Sequence, residues 1–222
     1  VRNANDAISM VSTFDGAADE IEDILIRMRE LAVLVQNGTY TTSDASNANL
    51  EYVALAAEIN RIQSKTKFNG TLDISSSTGT QTYSFQVGFN GGDAVSIAFG
   101  SLGASALAGT DMGDAANDLT GANQAANIVA AASAVLNVDA ALSNLNVHRA
   151  TAGAVINRLE HTVNNLMNVV QRTEEARSRI EDADFAVESA ALARANVLVQ
   201  AGSAMLAQAN QDPMYVLSLL RS

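Results

Sequence analysis

The chain has 222 residues, with 13 Lys and Arg against 24 Asp and Glu, and no Cys. A formal net charge of −11 repels nucleic acid and anionic membrane surfaces, and the lack of Cys excludes disulfides and thiolate metal sites. Hydrophobic residues make up 48% of the sequence but aromatics only 5%, so any core is thin and built of small side chains that let helices approach closely.

The opening residues RNANDAISMV read as the middle of a helix with no cap before it. An amino-terminal helix is therefore expected ahead of Val1, and no signal peptide is visible. Across residues 1–36, Ala7, Val11, Phe14, Ala18, Ile21, Leu25, Met28, Ala32 and Val35 recur in alternating steps of four and three. That is a coiled-coil seam. The NGT at 37–39 ends this helix, with Gly38 expected as a left-handed stop. TTSDAS then offers N-caps for a second helix over 44–66, with Leu50, Val53, Ala57 and Ile62 on its apolar side.

FNG at 68–70 predicts a turn. Beyond it, Tyr83, Phe85, Val87 and Phe89 alternate, as do Val95, Ile97 and Phe99, with NGGD between them; this predicts a β-hairpin. A long helix returns at about 123. Ala152, Val155, Leu159, Thr162, Leu166, Val169, Thr173, Ala176, Ile180 and Ala183 carry a second seam. Two seams at opposite ends of a sequence bury each other only if their helices pair. The predicted fold is mainly α, a long antiparallel helical bundle or coiled-coil rod with a small β-hairpin subdomain. The seam contacts are Ile21, Leu25 and Met28 from the first helix and Leu159 and Leu166 from the last. The expected organisation is a discontinuous helical rod (1–70 and 123–183), a short irregular region (71–122) and a carboxy-terminal helix (184–222).

The stretch ALARANVLVQAGSAMLAQAN (191–210) carries one charge, Arg194, and is apolar nearly all round. Such a helix has to be covered by something. Asn196, Gln200, Ser203, Gln208 and Asn210 interrupt it, so no membrane span is expected.

Chemistry is conspicuous mainly by its absence. His148 and His161 are too far apart in sequence for a helical metal pair. The carboxylates at 19–23, 174–175 and 181–184 lack a pocket to separate their pKa values and read as solvated faces. GFNGG at 88–92 lies between strands, without the helix a phosphate loop needs. Asp111, Asp114 and Asp118 miss the EF-hand spacing. Asn37 and Asn69 stand in N-x-T sequons, and the Ser/Thr run at 75–82 reads as an exposed loop. No catalytic residue, cofactor or metal is expected.

One family is carried by the residues themselves. RNANDAISM (2–10), RMRELAV (27–33), EINRI (58–62), TKFNG (66–70), FQVG (85–88), NRLEHTVNNL (157–166), ARSRIEDADFA (176–186) and LVQAGSAMLAQANQ (198–211) together resemble bacterial flagellin, in the family's order. The resemblance implies a structural subunit that self-assembles into the extracellular flagellar filament. It implies partners in further copies of the chain, the export apparatus, an export chaperone and the filament cap. Residues 184–222 resemble the carboxy-terminal helix lining the filament's inner tube, so Leu192, Leu198, Met205 and Leu206 are expected to pack between subunits. Flagellins also share a patch read by a host Toll-like receptor, matched here by Arg27, Leu31 and Glu51, whereas Ile26 and Met28 depart from some members. A hook–filament junction protein and a surface protein binding a polysaccharide through Arg61, Lys65 and Lys67 are the alternative readings.

Overall fold

A computed structural model describes residues 1–70, 72–73, 79–88, 90–110, 112 and 118–219. The expected roles of Phe89, Asp111, Asp114 and most of the Ser/Thr run fall outside these residues. In chain order the elements are α1 (Arg2–Gln36), α2 (Thr42–Lys65), β1 (Lys67–Phe68), β2 (Leu72–Asp73), β3 (Gln81–Gln86), β4 (Ala94–Phe99), α3 (Ala104–Ala108), α4 (Gln124–Glu181) and α5 (Phe185–Leu219). They form two compact units, residues 1–167 and 168–222.

The first unit is organised by α1. All nine expected seam residues are buried, and Ala4, Met10 and Leu31 join them. The stripe is wider than a two-helix seam because α2, β3 and β4 also contribute to the core it enters. Helix α1 does not end as expected. Gly38 is absent from the residues with positive φ, so it is no left-handed stop. The last residue turns out through Asn37 at φ −72° and ψ 121°, and Gln124 Nε2 ties the loop down by donating to the carbonyls of Gly38 (2.7 Å) and Tyr40 (2.8 Å).

Helix α2 starts at a capping box: Thr41 accepts from the Asp44 amide while the Asp44 carboxylate accepts from the Thr41 amide. Both orphaned donors of the first turn are thereby satisfied. The buried face is Ala45, Tyr52, Ala56, Ile59 and Gln63, not the expected one. Leu50 is 71% exposed, Ala57 is exposed, and Val53 and Ile62 are half-buried. Apolar residues lie on several sides of this helix, so spacing alone does not select a face; burying the large Tyr52 and Ile59 does.

Where the sequence indicated only a turn, β1 and β2 form a miniature hairpin with Phe68 opposite Leu72. Asn69 (φ 53°) and Gly70 (φ 75°) take the left-handed conformation after β1, which Asn and Gly adopt at the lowest steric cost. The larger hairpin pairs Gln81 with Phe99, Tyr83 with Ile97 and Phe85 with Val95. Its alternation places Ile97 and Phe99 in the core, and the Phe99 ring lies 5.1 Å from Phe14 of α1. Tyr83 joins the two hairpins by donating its hydroxyl to the Asp73 carbonyl at 2.6 Å.

Helix α4 runs antiparallel to α1. Arg29 near the end of α1 donates to Asp139 early in α4 at 2.7 Å. Arg149, further along α4, reaches back to Asp15 (3.2 Å), Asp19 (2.9 Å) and Glu22. Residues Ala131, Ala134, Val138, Ala141, Leu145, Ala152 and Leu159 are buried. The expected α4 seam is only partly buried. Val155, Thr162 and Leu166 are half-buried, and Val169, Thr173, Ala176, Ile180 and Ala183 are exposed. A heptad pattern marks which face is apolar but cannot supply the surface that covers it.

The helical stretch Gln124–Ala209 contains an 18-residue window of mean hydropathy 1.5. By length and composition alone that is enough to cross a membrane. The window is 28% buried and residues 185–209 hold no buried residue, so it lies in the part of α4 that faces the core.

Buried polar groups are mostly paired. Gln63 donates to Ser101 at 2.8 Å, and Asn127 accepts from the Gly121 amide at 2.6 Å. Among the described residues the Tyr52 hydroxyl is the exception, fully buried without a hydrogen-bond partner there. Burial, reinforced by the charge of Asp118, pushes its pKa up to about 12.

Two stability measurements follow from this core. Leu25 is fully buried, so Leu25→Ala should cost about 2–5 kcal/mol in a denaturant titration; a loss below about 1 kcal/mol would show that α1 is not held through this face. Tyr52→Phe removes an unbonded hydroxyl whose burial costs about 1–3 kcal/mol, so its thermal midpoint should be unchanged or higher. A clear drop would mean that the hydroxyl is bonded in solution.

Candidate assembly and recognition surfaces

Two surfaces remain once the core is accounted for. The first is the outer side of α1 where it meets α2. Arg27 donates from Nε to Glu51 at 2.7 Å and from Nη1 to Glu30 at 3.1 Å. These carboxylates raise its pKa, the bond to Glu51 contributing most. The pair holds a long, flexible side chain in one place at the surface, with both partners half in water. Leu31 does not share that surface: it is 5% exposed and belongs to the core. Only Arg27 and Glu51 of the three expected residues are presented together.

Beside them an open groove of about 670 Å³ is lined by Ile26, Arg29, Glu30, Val33, Leu34 and Tyr40, with Asn37 at its end. Ile26, Val33 and Leu34 form its apolar floor and are each about two-fifths exposed. The heptad spacing directs attention to the inner face of α1 and gives no hint of this outer one.

The second surface is α5. Every described side chain from residue 168 to residue 209 is exposed. Leu192 (64%), Leu198 (68%), Met205 (70%) and Leu206 (67%) all face solvent, as do Val187, Val197 and Val199. Helix α5 is capped at its start, where Asp184 accepts from the Ala186 amide at 2.9 Å. The helix is thus locally sound while its apolar surface is unpaid for by any packing among the described residues.

Among the described residues the two histidines stand apart from any cluster of ionisable groups that could hold a metal. His161 is exposed and His148 half-buried; burial lowers the His148 pKa. Among the described residues no group of three or more His, Asp or Glu is placed to hold a metal ion. The basic cluster of the polysaccharide reading is largely consumed internally, because Arg61 pairs with Glu58 at 2.6 Å and Lys67 with Asp73 at 3.3 Å. One functional-looking arrangement escaped sequence reasoning altogether: the three carboxylates on Arg149. Its trace is the spacing of Asp15, Asp19 and Glu22, one turn apart on α1, which marks one acidic edge but not the arginine 127 positions later that meets it.

Comparison with known proteins identifies the family through both ends of the chain. Residues 1–74 match the bacterial flagellin N-terminal helical region, and residues 135–220 match the bacterial flagellin C-terminal helical region. A flagellin of Halalkalibacterium halodurans is 40% identical over 220 residues, covering 99% of this chain and 77% of the relative. A flagellin of Bacillus subtilis is 37% identical, covering 99% and 79%. The crystal structure of Bacillus cereus flagellin superposes with a TM-score of 0.59 at 34% identity, covering 74% of this chain and 88% of that one. The chain belongs to the bacterial flagellin family, whose members are structural subunits of the flagellar filament.

Proposed function

We propose that this flagellin enters the filament through the apolar surface of α5, with Leu192, Leu198, Met205 and Leu206 as contacts between neighbouring subunits. The carrying observation is the uninterrupted exposure of residues 168–209. An apolar surface of that extent marks an interaction site on a soluble chain. Identical subunits joined by unlike surfaces make contacts that do not close, and so grow an open helical assembly. In this reading residues 1–70 and 123–183 form the packed helical body, 71–122 the outward variable region and 184–222 the polymerisation segment. The subunit is secreted to the cell exterior by the flagellar export apparatus, with an export chaperone and the filament cap as transient partners. The lack of Cys suits a chain that travels without an oxidation step.

Filament seeds mixed with the chain test the assembly face by negative-stain electron microscopy. Elongation is expected for the parent chain and should be lost in Leu198→Asp and Leu206→Asp, while the thermal midpoint of residues 1–167 stays unchanged. Variants that elongate seeds as well as the parent would reject α5 as the contact.

The exposed Arg27–Glu51 pair supports a second, separate role in recognition by a host Toll-like receptor. Arginine held in place at a surface is the residue type that dominates interface energetics. In a receptor-reporter assay on the monomer, Arg27→Ala should lower potency about tenfold. Equal potency would leave these residues to subunit packing alone.

A further inference from the structure

We propose that His148 is an acid-sensitive latch, holding the β3–β4 hairpin against α4 while neutral and releasing it when protonated. The latch is independent of how subunits assemble.

The geometry begins at Gly100, the residue that leaves β4. A Cβ placed on it would lie 2.0 Å from Cε1 of His148 and within 2.6 Å of both ring nitrogens. The imidazole therefore lies directly on the Gly100 backbone, and only a residue without a side chain leaves room for it. Behind the ring is a cavity of about 20 Å³ walled by Phe14, Ile97, Phe99, Ala152 and Val155. That is space for about one water. Thr151 is the other polar side chain there, and its hydroxyl already donates to the Val147 carbonyl at 2.8 Å. The ring thus wedges into the junction of α1, β4 and α4, the same junction closed by the contact of Phe14 with Phe99.

A charge at this point finds no partner among the described residues. From α1 the nearby carboxylates are Asp15, Asp19 and Glu22, and all three are engaged by Arg149. Strands β3 (Gln81–Gln86) and β4 (Ala94–Phe99) carry no ionisable group except Tyr83, whose hydroxyl is spent on Asp73. From α4 itself the adjacent charge is Arg149, a cation. Protonation would put an unpaired imidazolium against apolar walls, which costs more than leaving the ring in water.

Burial accordingly holds the His148 pKa below its usual 6.5. The sign follows from linkage. The folded state prefers the neutral ring, so the docking free energy is fully present above pH 6.5. It is lost as the pH falls below 6.5 through the lowered folded-state value. Release would free Ile97 and Phe99, both only 2% exposed in the docked state.

The test uses the full chain. The Cε1 proton of each histidine is followed by NMR from pH 8 to pH 4.5, with His161→Gln assigning the two signals. Amide exchange over Ala94–Phe99, corrected for intrinsic rate, is measured across the same range. The expected result is a His148 midpoint below 6.5, with hairpin protection falling severalfold over the same pH interval. In His148→Gln that loss of protection should disappear. A midpoint at or above 6.5, protection that does not change with pH, or an equal loss in His148→Gln would overturn the latch. Should His148→Gln not fold, coincidence of the two midpoints in the parent chain decides the matter.

Discussion

The first unit depends on a single constraint: one face of α1 is buried along the helix from Ala4 to Val35 and must be covered. Its inner face mixes small residues (Ala4, Ala7, Ala18 and Ala32) with large ones (Met10, Phe14, Ile21, Leu25 and Met28). The large side chains fill the space between elements, and the alanines between them let those elements come close, so dispersion energy accumulates over many contacts. Helix α2, the larger hairpin and α4 each cover part of that face, and the aromatic residues concentrate where three elements meet, at Phe14, Phe99 and Tyr83.

Electrostatics then fixes the register that apolar packing leaves loose. Apolar contacts are non-directional, whereas Arg149 cannot leave Asp15, Asp19 and Glu22 without losing charge-assisted hydrogen bonds. Arg29 with Asp139 sets the same alignment at the other end of α1. For a chain of net charge −11, placing an arginine among three carboxylates also relieves repulsion along the acidic edge of α1.

The second unit obeys a different logic. Helix α5 is apolar and exposed together, a combination a solitary soluble domain avoids and an assembling subunit needs. Family membership accounts for such a combination: flagellins are filament components, and on the reading proposed above the open surface of one chain is where other chains bind.

The sequence by itself determined the period of α1, the alternation of β3 and β4, and the family, because each is written in local spacing or in contiguous motifs such as SRIEDADFA. Only the tertiary structure decided the rest. Spacing could not choose the buried face of α2, since Leu50 and Tyr52 lie on different sides of one helix and burial of the larger aromatic prevailed. It could not show that Leu31 is core while Arg27 is surface, or that the α4 seam lies open beyond Leu166. Nor could it join Arg149 to α1 or lay His148 on Gly100. Periodicity describes one element at a time, whereas coverage, charge pairing and close approach are properties of two elements brought together by folding.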